Sequence, residues 1–185
     1  MVERGIIKEE EQELYQFGIR NGMILLLNVV TALVIGLLTE QLAVVAVFTL
    51  SFMVLRSYTG GYHSDSRIFC YLGSNLVLLV PVYTQAVFYK TSLAWLLAVL
   101  LVSAGIIFLL SPMHSKNRKL DKEEQKHFGR KARLIAALEL AVLGILWHAG
   151  QIPYAYAVYT GICITALFMI VGKAQLWIQS HTENG

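Results

Sequence analysis

The chain has 185 residues, of which 56% are hydrophobic and only 15% charged, and its mean hydropathy is +0.59. A soluble domain is less apolar and carries about 25% charged residues. This composition excludes a disordered chain, a collagen and a nucleic-acid-binding tail, and a soluble core of this length cannot hide so much apolar surface. The sequence therefore predicts an integral membrane protein. Its two cysteines are too few for a disulfide framework or a four-thiolate zinc site.

Long runs without a charged residue predict the membrane spans. A helix needs about 20 apolar residues to cross a bilayer, so the first, third and fourth runs each predict one span. The second run is short, and we expect its flanking Glu40 and Arg56 to snorkel to the interfaces. The fifth run contains Glu139 and predicts two spans, with a turn at 148–153 where glycine and proline interrupt it. The runs are 21–39, 41–55, 68–89, 91–115 and 134–172.

The fold expected from these runs is all-α, with about six transmembrane helices, and four spans plus two re-entrant segments is the alternative. Lys90 is the only basic residue on one side of this arrangement, and the other fourteen fall in alternate loops and both tails. The positive-inside rule then predicts cytoplasmic N- and C-termini. No cleavable signal peptide is visible, so we expect the first span to act as the insertion signal.

Three regions follow from this topology. Residues 1–20 are expected to form an N-terminal interfacial helix, because their apolar residues share one helical face. Residues 21–172 are expected to form the transmembrane domain, with a basic cytoplasmic loop at 114–133. Residues 173–185 are expected to form a cytoplasmic tail.

One segment combines residue types that carry nucleophilic chemistry: Arg-Ser-Tyr-Thr-Gly-Gly-Tyr-His over 56–63, with Cys70 seven residues after His63. Gly60 and Gly61 allow a sharp reversal of the chain that other residues resist. Cys70 is expected in the first turn of the third helix, where the helix dipole favours a thiolate and Arg67 adds positive charge. His63 can then take the thiol proton and return it to a leaving amine, provided that it folds back over the helix end.

Spacing alone does not settle this interpretation. Cysteine is commonly a small buried hydrophobic residue, and a histidine is at home at a membrane interface, so packing is the plainer explanation of the pair. The whole run, however, resembles the signature of the accessory gene regulator protein B family, the membrane-embedded cysteine endopeptidases of Gram-positive quorum sensing. The likeness also covers length, span number and the basic loop, and so extends over most of the chain.

The resemblance implies which residues act. The histidine and cysteine of the family signature are its catalytic pair, which here are His63 and Cys70. The signature positions that are also needed for activity fall on Arg56 and Gly61.

The resemblance also implies the reaction. Enzymes of this family cut a short precursor peptide on its C-terminal side and hold the N-terminal part as an acyl-thioester, here on Cys70. An internal cysteine or serine of the peptide then closes a thiolactone or lactone ring, which gives the autoinducing peptide. No cofactor is implied, and the histidines outside the motif are too scattered to form a metal site.

The same resemblance names the partners, which are the precursor peptide and the lipid bilayer of a bacterial cell membrane. A homodimer is a further expectation, because small residues in the last two predicted spans permit close helix packing. Nucleic acid is not expected, since the basic residues are mixed with acidic ones and no aromatic stacking platform adjoins them.

The basic loop at 114–133 has two interpretations. It carries eight basic and three acidic residues, and topology together with attraction to anionic lipid explains such a loop without any further role. The functional alternative is capture of the acidic C-terminal part typical of the family's precursors, with Lys116, Arg118 and Lys119 as the contacts.

A non-enzymatic transporter or exporter of a small peptide is the rival function. The basic loop would then be a gate and Glu139 would lie in the pathway, because a carboxylate inside the membrane is a functional candidate by default. Glu139 is also near enough to the interface to pair with Arg133. The motif distinguishes the two functions, since a transporter has no need of a glycine pair, a histidine and a spaced cysteine.

Overall fold

The described part of the protein, residues 12–60, 67–113 and 122–182 of a computed structural model, is a bundle of α-helices. No strand occurs within these ranges, and the predicted all-α class is confirmed. The elements are α1 (Gln12–Leu38), α2 (Leu42–Thr59), α3 (Arg67–Tyr83), α4 (Gln85–Lys90), α5 (Leu93–Leu110), α6 (Lys122–His148) and α7 (Ile152–Thr182).

The helices α3 and α4 are two parts of one broken helix, so the described ranges hold six helices in all, as predicted. Among the described residues, four segments are long and apolar enough to cross a membrane: Leu42–Thr59, Tyr71–Lys90, Leu93–Leu110 and Ile152–Ile178. The apolar part of α1, Gly22–Leu38, is shorter. The orientation of the termini stays a prediction.

The break between α3 and α4 follows from a proline. Pro81 lies inside α3, and a proline ring removes one backbone donor and clashes with the preceding turn. The carbonyl of Pro81 accepts a hydrogen bond from the Tyr156 hydroxyl at 2.9 Å. That same hydroxyl lies 2.7 Å from the Thr84 hydroxyl at the break. The polar groups released by the break therefore find partners inside the bundle.

The centre of the bundle is α7, which packs against α2, α5 and α6. In its 18-residue apolar window, 61% of the residues are buried, against 33% or less in the windows of the other three membrane-length segments. Small residues such as Ala157, Gly161 and Ala166 let the neighbouring helices approach closely. The hydroxyls of Thr160 and Thr165 bond to carbonyls of their own helix one turn earlier, so they are buried without an unpaired donor.

Large apolar side chains cover the outside of the bundle. Leu38 at the end of α1 is 79% exposed and Leu109 near the end of α5 is 83% exposed, and many residues of both helices resemble them. A soluble protein rarely presents contiguous apolar surface of this extent. Lipid tails are the solvent that suits such a surface, and this outer face agrees with a membrane protein.

Three observed helices, α1, α6 and α7, run beyond the predicted spans. The predicted loop at 114–133 is helical from Lys122 onward, the predicted tail at 173–185 is helical to Thr182, and the described part of the predicted separate helix at 1–20 belongs to α1. The reason is the same in each case. The expected spans stopped at the first charged residue, but Lys, Arg, Glu and Gln are good helix formers and carry a helix beyond the bilayer. Glu123 and Glu124 in the first turn of α6 also complement its dipole.

Candidate functional site

The motif lies where α2 ends and α3 begins. We call this the motif end of the bundle; it comprises the last turn of α2, the start of α3, residues 111–113 after α5 and the first turns of α6. The opposite end, with the short connections at 39–41 and 149–151, is the turn end. The structure describes the motif as far as Gly60 and the backbone of α3 from Arg67.

Gly60 reverses the chain at the end of α2. Its φ is +72°, a backbone conformation that residues with a side chain rarely adopt. A Cβ at this position would lie 2.7 Å from the carbonyl oxygen of Met113. The Met113 N–H donates to the carbonyl of Thr59 at 2.9 Å, so the segment after α5 is hydrogen-bonded to the start of the motif. Gly60 is therefore required for its φ and for the close approach of a second backbone.

Arg56 stabilises the same turn. Its guanidinium donates a hydrogen bond to the carbonyl of Gly60. The guanidinium carbon also lies 5.1 Å from the centroid of the Phe168 ring on α7, a cation–π contact. One planar cation thus links the turn to the central helix, which a lysine does not reproduce because its ammonium has no flat face to stack.

The first turns of α6 cover the end of α2. The rings of Tyr58 and Phe128 are 6.3 Å apart, and the Lys131 ammonium lies 5.9 Å from the centre of the Tyr58 ring. Gly129 is buried where a Cβ would lie 3.0 Å from Pro112 Cδ. Part of the predicted basic loop is therefore a helix packed on the motif. Lys126 and Arg130 are exposed on its outer side.

Cys70 is the fourth residue of α3, within the first turn, where the sequence predicted it. The side chains of Arg67 and Cys70 are not described. His63 and Gly61 lie outside the described residues, as do the three lysine and arginine residues predicted to bind substrate, Lys116, Arg118 and Lys119. The structure therefore brings together Arg56, Gly60 and Met113, and the distance between His63 and Cys70 stays a prediction.

Glu139 lies inside the bundle and makes a different contact from the predicted one. Its Oε2 accepts a hydrogen bond of 2.8 Å from the Ser51 hydroxyl on α2. Arg133, the partner that the sequence suggested, instead donates its Nε to the carbonyl of Phe108 at 3.1 Å. Gly161 on α7 makes room for this contact, since a Cβ there would lie 2.5 Å from the Ser51 hydroxyl oxygen. Glu139 thus links α6 to α2 at a tightly packed three-helix contact.

Sequence reasoning missed a polar contact that starts next to Cys70. The Tyr71 hydroxyl lies 2.9 Å from the Thr31 hydroxyl on α1. A tyrosine in an apolar run looks like ordinary packing. The only signal in the sequence is that its helical neighbour at the next turn, Asn75, is also polar.

Comparisons with known proteins identify the relatives of the chain. The sequence profile of the family described as Accessory gene regulator B matches residues 1–171. The chain is 24% identical over 131 residues to AgrB-like protein 2 of Clostridium perfringens strain 13, which covers 68% of this chain and 61% of that protein. It is 25% identical over 156 residues to accessory gene regulator protein B of Staphylococcus intermedius, with 82% and 80% covered. The chain thus spans less than two thirds of the length of the Clostridium relative. No solved structure matches significantly.

Proposed function

The chain belongs to the accessory gene regulator B family, and from that premise we propose that it is a membrane-embedded cysteine endopeptidase that matures a quorum-sensing peptide. Family membership implies involvement in accessory gene regulator quorum sensing. The proteolytic and ring-closing steps are our proposal for how this chain takes part. The motif end would face the cytoplasm of a bacterial cell, as the distribution of basic residues predicts.

The proposed reaction has two acyl transfers. His63 takes the proton of the Cys70 thiol, and the thiolate attacks the carbonyl carbon at the cleavage site of the precursor. The peptide C–N bond breaks, His63 gives the proton to the leaving amine, and the N-terminal part stays on Cys70 as a thioester. An internal thiol of the peptide then loses its proton and attacks that thioester. A thiolactone forms, and the Cys70 sulfur leaves and is protonated again.

The observation that carries this proposal is the position of Cys70 in the first turn of α3, directly after the motif. The first backbone N–H groups of a helix have no partner within it, and the helix dipole favours negative charge there. A thiolate is thereby favoured at this position over the interior of a span. Cys163, the second cysteine, lies in the middle of α7 and has no such surroundings.

The contacts around Gly60 support the proposal from the other side of the motif. Arg56, Thr59 and Met113 fix the direction in which the chain leaves α2. A fixed departure limits the positions open to His63 three residues later. Catalysis by a base needs this restriction, because its nitrogen must come within about 3 Å of the sulfur in the reacting complex.

Basic residues next to the motif suit the C-terminal part of a precursor with an acidic tail. We propose that Lys116, Arg118 and Lys119 bind that part, and that the exposed Lys126 and Arg130 of α6 extend the same surface. In this proposal these charges hold the peptide and leave the chemical step to His63 and Cys70.

Purified protein in lipid vesicles, mixed with a precursor that has an internal cysteine and an acidic C-terminal part, tests the function. We expect cleavage by the parent and by Cys163→Ala, and none by Cys70→Ala. Cleavage by Cys70→Ala at the parent's rate would overturn the proposal. Transport of intact peptide into the vesicles without cleavage would favour the exporter instead.

A further inference from the structure

A hydrogen bond ties the start of α3 to α1 one residue after Cys70. The hydroxyl oxygens of Tyr71 and Thr31 are 2.9 Å apart. Thr31 also donates its only hydroxyl proton to the carbonyl of Leu27 at 2.8 Å. Tyr71 must therefore be the donor to Thr31, because Thr31 has no second proton.

This bond lies within the apolar part of α1. Thr31 stands near the middle of the apolar stretch Gly22–Leu38. Its neighbours Leu27 and Val30 are 51% and 47% exposed, whereas Ala32 is buried in a cluster that includes Val77 and Leu78 of α3. Polar pairs between helices stabilise their contact in apolar surroundings. The Tyr71–Thr31 bond is thus a specific polar link between α1 and α3.

The link fixes both the rotation and the height of the first turn of α3. Successive residues on a helix are about 100° apart, so holding Tyr71 against α1 also sets the direction in which position 70 faces. It fixes the axial position as well, because a shift of one residue moves the hydroxyl by about 1.5 Å and breaks the bond. Cys70 precedes Tyr71 and moves with it.

We propose that Tyr71 and Thr31 are positioning residues for Cys70. They hold the first turn of α3 in the register and rotation in which the position-70 thiol meets its base and the peptide. This inference rests on the proposed function. Its consequence is kinetic: loss of the bond slows acylation of the enzyme, because misplacement of a reacting atom by about 1 Å is costly, while peptide binding stays nearly unchanged.

The protein contains a matched control at its other end. Tyr156 and Thr84 form a second tyrosine–threonine pair, with 2.7 Å between their hydroxyl oxygens. Tyr156 is 2% exposed and also donates to the carbonyl of Pro81. Loss of this hydroxyl leaves a buried carbonyl without its donor, so Tyr156→Phe should lower stability more than Tyr71→Phe does. Thr84 follows the last residue of α3, whereas Cys70 is in its first turn. The Tyr156–Thr84 pair should therefore not affect acylation directly.

The experiment compares Tyr71→Phe, Thr31→Val, Thr31→Ser and Tyr156→Phe in lipid vesicles, all in the Cys163→Ala background. Three quantities are measured for each: the single-turnover acylation rate at saturating peptide, the half-saturating peptide concentration, and the melting temperature. We expect Tyr71→Phe and Thr31→Val each to lower the acylation rate about tenfold, with half-saturation changed less than about twofold. Thr31→Ser keeps the acceptor and should behave like the parent. The Tyr71→Phe/Thr31→Val double variant should be no slower than either single variant, because both remove one bond.

Parent-like acylation in both Tyr71→Phe and Thr31→Val would overturn the inference. So would slow acylation in Tyr156→Phe of the same size, since the effect would then be one of general stability. The alkylation rate of Cys70 by iodoacetamide separates this inference from the proposed function. If the parent is not acylated, the proposed function fails. Slower alkylation in Tyr71→Phe and Thr31→Val than in Tyr156→Phe would still support positioning, and equal rates would refute it.

Discussion

Each end of the bundle has a glycine with a positive φ, and the two glycines have different surroundings. Gly60 at the motif end and Gly150 at the turn end have φ values of +72° and +73°. A Cβ on Gly150 would have nothing within 4 Å, whereas one on Gly60 would collide with the Met113 carbonyl. The turn end only connects neighbouring helices. The motif end joins segments from α2, α5 and α6, and such convergence of distant segments is what a site for chemistry requires.

Removal of the proposed base, His63, should lower the acylation rate more than any other substitution that keeps Cys70. We expect His63→Ala to lower the acylation rate by a factor of about 100 or more, as is usual for loss of a general base. Part of the rate should return as the pH rises, because hydroxide then generates the thiolate without His63. The turn-end variant His148→Ala is the control and should acylate like the parent. A His63→Ala enzyme with the parent's rate and pH profile would remove His63 from the mechanism.

The two glycines give the next largest difference. Gly150→Ala should cost about 1 kcal/mol of unfolding free energy, from the strain of its φ alone. Gly60→Ala should cost at least about 1 kcal/mol more, because its ψ of −153° lies in a region open essentially to glycine alone and because its Cβ also displaces the Met113 backbone. Denaturation in detergent measures both. Equal costs for the two substitutions would mean that the Met113 contact does not hold the motif.

A pair of glycines in the middle of the bundle sharpens the contrast between tight and open positions. Gly161 would place a Cβ 2.5 Å from the Ser51 hydroxyl oxygen, whereas Gly144 on α6 has open space. Gly144→Ala should leave stability unchanged or raise it by up to about 1 kcal/mol, through better helix propensity. Gly161→Ala should lower it by about 1–3 kcal/mol, because it forces apart α7 and the Ser51–Glu139 contact. Melting in the same detergent decides the sign, and stabilisation by Gly161→Ala would contradict the observed packing.

Surface charge should have the smallest effect. Replacement of Lys116, Arg118 and Lys119 by Gln should raise the half-saturating peptide concentration severalfold, with little change in the acylation rate at saturation. Lys90→Gln, at the turn end, should change neither quantity. The difference should shrink as salt is added. A slower rate at saturation, with unchanged affinity, would place these residues in the chemical step and not in binding.

The sequence predicted best the features that repeat along the chain. Apolar runs gave the six helices, and the glycine and proline near 150 gave the turn before α7, because both signals are local. The helices α6 and α7 begin at Lys122 and end at Thr182, outside the predicted spans, since charged residues extend a helix as readily as they end a span. The Ser51–Glu139 and Tyr71–Thr31 contacts were missed for another reason. They join residues 88 and 40 positions apart, and one sequence without the fold carries no signal for such pairs.

The position of Cys70 was predictable because three observations agreed on it: the glycine pair, the histidine seven residues earlier and the start of a charge-free run. The turn at Gly60 was predictable, but only one of the two reasons for a glycine there was. The chain reversal follows from the sequence, whereas the approach of Met113 depends on how α5 packs.

Intact-mass spectrometry of the protein with a precursor whose internal cysteine is replaced by alanine tests the central claim most directly. The first transfer does not use that thiol, so the account predicts cleavage and a persistent thioester that carries the N-terminal part of the peptide. Peptide mapping should locate it on Cys70, and Cys163→Ala should form it as the parent does. An adduct on any other residue, or cleavage by Cys70→Ala, would contradict the account.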